Sequence, residues 1–313
     1  MPDTRVLLPD ADGLSQAAAI LRRGGLVAMP TETVYGLAAD ATNDHAVAGI
    51  FAAKGRPRFN PLIVHCADLA AVEGVAVLTP LARRLAAAFW PGPMTLVLPL
   101  RGGVSPLVTA GLNTVAVRLP AHPVARALLR AFGGPLAAPS ANPSGRISPV
   151  AVAHVLDGLG GRIDAVVDGG DCAVGLESTI LDATGDAPVL LRAGGLAVEA
   201  IEALGLIVTV SSGGAITAPG QLASHYAPRG RVRLNVTAPD AGEVWVGFGP
   251  CPGAALSLSP TGDLTDAAAH LFHALHQADA LAGAGGSIAF APVPETGLGR
   301  AINDRLRRAA ADR

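Results

Sequence analysis

Short apolar runs alternate with stretches of helical spacing through most of the chain. Leu14–Arg23 places its apolar residues on one helical face and stops at Gly24-Gly25. Leu26–Met29 then reads as a buried strand ended by Pro30. Leu62–His65, Met94–Leu98, Leu136–Pro139, Ala165–Val167, Ser178–Leu181 and Val189–Leu191 repeat that short apolar pattern, and Thr114–Leu119 alternates. Helices are predicted over Asp44–Ala53, which Asn43 can cap, and over Pro80–Phe89, Pro123–Ala131, Pro149–Leu156 and Val198–Leu204. The later strands come with little helix between them. The expected fold is therefore α/β, a twisted mixed sheet with helices, and not a purely parallel sheet.

The rhythm breaks near Thr209. Ser211-Ser212-Gly213-Gly214 has no periodicity and opens a long connection. Val232–Val236 and Glu243–Phe248 then read as strands, Asp263–Leu281 as a helix and Ser287–Phe290 as a strand. The predicted division is a catalytic unit over residues 1–208, a linker or lid over 209–230, and a small α/β, Rossmann-like unit over 231–313.

Composition narrows the classes. The chain has 313 residues, of which 50% are hydrophobic and only 4% aromatic, so small aliphatic side chains must fill the core. A net charge of −2 offers no global attraction for nucleic acid or an anionic membrane, so any anion site must be a local cluster. Cys66, Cys172 and Cys251 are far apart, with neither zinc nor redox spacing. No apolar signal segment opens the sequence, and the uncharged run Ala203–His225 is broken by Ser, Gly and Pro, so no membrane span is expected. A reducing cytoplasm fits these features.

One local cluster stands out. Lys54 is the only lysine among 23 basic residues, and it precedes Gly55, Arg56, Pro57 and Arg58. Lysine is a compact point charge where arginine is a planar fork, so the choice matters at a tight anion site. The same residues also suit a plain helix C-terminus. Three other loops carry hydroxyls, amides or cations: Thr31–Gly36, Ala138–Ser148, and Glu177–Thr179 together with Arg192–Gly195. Such donors suit phosphate oxygens and a carboxylate. No P-loop motif is present, and Gly247-Phe-Gly249 is only a fragment of a dinucleotide fingerprint. His270, His273 and His276 recur every third residue, a spacing that drifts around a helix and favours a packed or solvated face over a metal site.

Together these segments resemble the YrdC-like family in its long, two-domain form. The residues that carry the resemblance are Pro30-Thr-Glu-Thr-Val-Tyr-Gly-Leu37, Lys54-Gly-Arg-Pro57 with Asn60–His65, and Trp90-Pro-Gly-Pro-Met-Thr95. Further along come Val115–Pro120, Ala138-Pro-Ser-Ala-Asn142 with Ser144-Gly145, Ser178-Thr179-Ile180, Leu191–Gly195, and His225-Tyr226-Ala227-Pro228. The segments run in family order from about residue 13 to 228, while the remainder matches by position and character.

The resemblance implies an enzyme, a nucleotidyltransferase. It would combine L-threonine, bicarbonate or CO₂, and ATP into threonylcarbamoyl-AMP and pyrophosphate. A downstream tRNA threonylcarbamoyl transferase would use that product beside the anticodon, and a weak RNA contact is compatible with the role. Mg²⁺ would arrive with ATP. Residue by residue, the threonine pocket falls on Thr33, His65, Arg118, the backbone of Ala138, and Ser178. The ATP side falls on Lys54, Arg56, Asn60, the backbone at Thr114, Ser140, Asn142, Ser148, Arg192 and Tyr226, with Lys54 and Arg56 as the catalytic cations. Glu32 and Glu177 lie in the same loops, as structural groups or as groups that orient ligands. The alternative is a YrdC-like module that holds a nucleotide or RNA without catalysis.

Overall fold

A computed structural model describes residues 3–57, 59–211 and 225–311. Arg58 and residues 212–224, the middle of the expected linker, lie outside the described residues.

The chain opens with β1 (Arg5–Leu7) and α1 (Ala11–Arg22), capped by the Asp10 side chain. The antiparallel pair β2 (Val27–Met29) and β3 (Gly36–Asp40) flanks the Pro30–Tyr35 turn. Then come α2 (Asp44–Lys54), β4 (Ile63–His65), α3 (Leu69–Val75), α4 (Pro80–Phe89) and β5 (Met94–Pro99). Next are α5 (Pro106–Thr109), β6 (Thr114–Arg118), α6 (Pro123–Phe132) and β7 (Leu136–Ala137). They are followed by α7 (Val152–Leu159), β8 (Ala165–Val167), β9 (Thr179–Asp182), β10 (Val189–Arg192), α8 (Val198–Glu202) and β11 (Thr209–Val210). These strands form one sheet in the order β1-β8-β2-β3-β7-β4-β6-β5-β9-β10-β11. Its five parallel pairings are matched by five antiparallel ones, which makes it the mixed sheet expected.

After residue 224 the chain builds β12 (Arg231–Arg233), β13 (Val244–Gly247), β14 (Leu256–Ser257), α9 (Leu264–Ala282), β15 (Ser287–Phe290) and α10 (Gly299–Ala310). This second sheet has the order β12-β15-β13-β14 and is parallel throughout. One buried apolar cluster runs from the large sheet through Leu176 and Tyr226 to Phe272 and Phe290 of the small unit. At Gly175 the two units meet backbone to backbone: a Cβ there would lie 2.4 Å from the Ala268 carbonyl of α9.

Several elements have no counterpart in the periodicity reading: β1, β3, α3, α5, β11, β14 and α10. Most span two to seven residues, too few to show a period. β3 is Gly-Leu-Ala-Ala-Asp, an uninterrupted small apolar run buried on both faces, so it lacks the two-residue alternation. α10 is strongly amphipathic but carries four arginines, so it reads as polar surface. Among the described residues no helix is long and apolar enough to cross a membrane.

Candidate functional site

The cleft is assembled where loops leave the large sheet. The first wall is the turn after β2. Thr31 Oγ1 accepts from the amides of Thr33 and Val34, both at 3.2 Å, and donates to the Val34 carbonyl at 2.6 Å. This knot fixes Thr33 Oγ1, which accepts from Arg118 Nη1 at 2.8 Å. Arg118 stands at the end of β6 and also donates Nη2 to Glu32 Oε1 at 2.6 Å and Nε to the Gly92 carbonyl at 3.2 Å. Three of its five donors are engaged by these contacts; one N–H on each terminal nitrogen is left for two oxygens of a carboxylate. Burial opposes ionisation of Glu32, but the charge and hydrogen bond of Arg118 outweigh it and hold the carboxyl below its usual range. The other Glu32 oxygen accepts from the amides of Ala121 and His122. His65, paired in register with Arg118 across β4 and β6, is 3% exposed. Burial, then the nearby Arg118 charge, pushes its pKa down to about 3, so the imidazole is neutral, and its Nδ1 has no hydrogen-bond partner among the described residues.

The second wall is the end of α2. Gly55 caps the helix and Arg56 turns its guanidinium to the carbonyls of Asn60 and Pro61. Burial, then the charge of Arg192, lowers the Arg56 pKa to about 10. Lys54 Nζ donates to the carbonyl of Ser140 at 2.6 Å and to that of Asn142, while the Ser144 amide donates back to the Lys54 carbonyl. These bonds stitch the helix end to the Ala138–Ser148 loop. Burial, then the Arg56 charge, lowers the Lys54 pKa well below its ordinary value.

The remaining walls come from β9, β10 and the stretch after residue 224. Thr95 Oγ1 and Ser178 Oγ share a hydrogen bond of 2.7 Å. Arg192 Nη2 donates to the Ser178 carbonyl at 2.8 Å and reaches its hydroxyl at 3.2 Å. The two strands approach so closely that a Cβ on Gly194 would lie 2.3 Å from the Glu177 carbonyl. Glu177 accepts from Ser148 Oγ at 2.6 Å on one oxygen and from Arg305 Nε of α10 at 2.8 Å on the other. Burial raises its pKa, but the charges of Arg305 and then Arg192 dominate and bring it to about 2. Tyr226 sits on a positive φ of 62°, with its ring 4.1 Å from that of His225 and the Arg305 guanidinium 5.3 Å from its centroid.

Nine of the residues singled out from sequence therefore line one cleft: Thr33, Arg56, His65, Arg118, Ala138, Ser140, Ser178, Arg192 and Tyr226. The others stand differently. Lys54 lies behind the wall, bound to the two carbonyls, instead of facing into the cleft. Asn60 is 1% exposed and supports Arg56 through its carbonyl. Thr114 begins β6 and is half-buried. Asn142 faces an adjoining groove between α7 and α9. Ser148 is fully buried against Glu177. Sequence reasoning left the roles of Glu32 and Glu177 undecided and did not reach Arg305 at all. Two of the α9 histidines pack on His154 of α7, His276 stacked at 3.8 Å and His273 edge-on at 5.2 Å, while His270 is exposed; among the described residues no group of three ligands suits a metal.

A mixed sheet whose loops gather three arginines, hydroxyls and a neutral histidine around one cleft makes this an α/β protein with a cationic cleft. Residues 19–194 match the family model described as Telomere recombination, which groups Sua5, YciO and YrdC. Residues 196–311 match the model described as Threonylcarbamoyl-AMP synthase, C-terminal domain. The chain belongs to the threonylcarbamoyl-AMP synthase family in its two-domain form. It is 48% identical to the threonylcarbamoyl-AMP synthase of Bacillus subtilis over 234 residues, 72% of this chain and 68% of that one. The crystal structure of P. abyssi Sua5 complexed with L-threonine covers 98% of both chains at 39% identity and a TM-score of 0.90. E. coli YciO covers 62% of this chain and 96% of its own at 27% identity and a TM-score of 0.56.

Proposed function

We propose that the chain forms threonylcarbamoyl-AMP and pyrophosphate from L-threonine, bicarbonate or CO₂, and ATP. The observation that supports this most directly is the convergence of Thr33, His65, Arg118 and Ser178 with Arg56 and Arg192 in one cleft. The first four form a pocket for an amino acid: Arg118 takes its carboxylate, Thr33 and Ser178 offer hydroxyls, and the neutral His65 lines the same space. The threonine amine adds to CO₂, releasing a proton and giving an N-carboxylate. A carboxylate oxygen then bonds to the α-phosphorus as the bond to pyrophosphate breaks. Such a displacement asks for alignment and neutralisation of charge more than for proton transfer. Arg56, Arg192 and the Ser140 loop supply these, with Lys54 bracing that loop. Asn60 and Ser148 support the ATP side from behind the wall, and Thr114 and Asn142 are assigned to it by the family resemblance alone.

MgATP is the substrate form in this reading. Both carboxylates of the cleft are tied to arginines, so the ion would be held through the nucleotide's phosphates and not by protein oxygens. Residues 1–208 act as the catalytic unit, 231–313 as the small unit, and 209–230 as the link that brings Tyr226 over the cleft. The product passes to a tRNA threonylcarbamoyl transferase in the cytoplasm.

The test is to mix the protein with MgATP, bicarbonate and threonine, then to measure pyrophosphate and the adenylate by mass spectrometry. Threonine-dependent pyrophosphate, abolished by EDTA, is expected. ATP binding without threonine-dependent pyrophosphate would overturn the reading in favour of a non-catalytic nucleotide- or RNA-binding module.

A further inference from the structure

Arg305 is fully buried, yet it belongs to α10 of the small unit and reaches into the wall of the cleft formed by the large sheet. Three of its five donors are directed. Nε serves Glu177 at 2.8 Å, Nη2 serves the Ala193 carbonyl at 3.0 Å, and Nη1 serves Asp304 at 2.6 Å. Its plane lies beside the Tyr226 ring. Two of these contacts reach the cleft wall: Glu177, which lines it, precedes Ser178 and holds the Ser148 hydroxyl, and Ala193 follows Arg192. Arg305 is itself absent from the cleft lining.

We propose that Arg305 is the positioning residue of the ATP side, cancelling the charge of Glu177 where polyphosphate must bind and fixing Ser148, Arg192 and Tyr226 from behind. The inference rests on the synthase reading above. Its physical basis is that Glu177 is an ionised, buried carboxylate whose oxygens have two clients. One is Ser148, a neutral donor. The other is Arg305, the cation whose charge dominates in keeping Glu177 ionised. A carboxylate facing a triphosphate without that cation would repel it; with it, the pair is neutral and the cleft keeps the positive field of Arg56 and Arg192. The small unit thus contributes to catalysis through charge placement. Asp304 is the second anion on Arg305 and is shared with Arg308.

The experiment compares Arg305→Met, Arg305→Lys, Glu177→Gln and the double variant Arg305→Met/Glu177→Gln in the full chain, by steady-state pyrophosphate release at pH 6 and pH 8. Arg305→Met should raise the KM for ATP at least tenfold, with the KM for threonine moved less than twofold. The double variant should recover most of the ATP affinity at both pH values. Arg305→Lys keeps the charge and loses the fork and the stack, so it should fall between; it also carries the test if Arg305→Met does not fold. Equal losses in both KM values, or a double variant no better than the single one, would overturn the proposal. A wild-type chain without synthase activity would sink the underlying reading instead, which separates the two failures.

Discussion

Acidifying the protein from pH 7.5 to 5.5 should remove about 3 kcal/mol of folding stability through two histidines alone. His65 and His225 are each buried and, with burial as the chief cause, hold their protons only below about pH 3, against an ordinary value of 6.5. The secondary causes differ. His65 feels the Arg118 charge, while His225 has Glu177 raising its pKa and Lys54, Arg56 and Arg305 lowering it. Above pH 6.5 both imidazoles are neutral folded or unfolded, and the difference vanishes. As the pH falls below 6.5 the unfolded chain takes up protons that the folded chain refuses. Each group then costs about RT ln(1 + 10), roughly 1.4 kcal/mol, at pH 5.5. Glu32 and Glu177, also held below their ordinary range, add losses of the same sign only below pH 4.5. The assay is urea unfolding at pH 7.5, 6.5 and 5.5. Trp245→Phe leaves Trp90 as the sole tryptophan, and it reports on the large sheet through its indole bond to the Met94 carbonyl. His65→Gln and His225→Gln should each remove about 1.4 kcal/mol of this loss, while His154, which burial also holds down to about 3, adds a loss of the same sign that both variants keep. Stability flat to within about 1 kcal/mol over this range, or single variants that keep the full slope, would refute the reasoning.

Two further outcomes follow from the cleft. Lys54→Met leaves the carbonyls of Ser140 and Asn142 without their donor, at a cost of roughly 1–3 kcal/mol each, and should lower turnover at least about tenfold. Lys54→Arg should not restore it, because a planar fork cannot sit between two converging carbonyls as a point donor does. Hydrogen exchange at the Ala141 and Ser144 amides checks the cause, and unchanged protection alongside lost turnover would mean that Lys54 acts on the nucleotide directly. Glu32→Gln keeps an acceptor for the Ala121 and His122 amides but frees Arg118 from its ion pair. The KM for threonine should then shift by roughly tenfold, with that for ATP within about twofold, and a shift shared by both substrates would count against Arg118 as the carboxylate's partner.

Much of the large sheet was legible because strands such as β2, β5 and β7 are short apolar runs with a proline at or next to one end. The cleft loops were legible because their chemistry is local. Thr31 ties its own turn, and Asn43 caps the helix that delivers Lys54. What escaped was long-range. Lys54 was marked by its rarity, but only the fold shows two main-chain carbonyls, 86 and 88 residues further on, converging on its ammonium. Arg305 sits in an arginine-rich helix where nothing in the spacing separates a buried guanidinium from exposed ones. Its partner is 128 residues away, a distance across which side-chain patterning carries no signal. Glu32 and Glu177 were undecided for the same reason: a carboxylate's role depends on which cation the fold brings to it.

The Glu177–Arg305 pair also sets an order of events during synthesis. At roughly 5–20 residues per second, the arginine is translated roughly 6–26 s after the glutamate it neutralises, given the 128 residues between them. By the end of that interval the strands of the large sheet have all been made, and Arg192 is in place, yet Glu177 still lacks the cation that hydrogen-bonds it. A nascent chain in this state is poorly suited to bind nucleotide. The wall around Glu177 and Ala193 gains its last two bonds only when α10 docks, so their formation reports that both units have folded and joined.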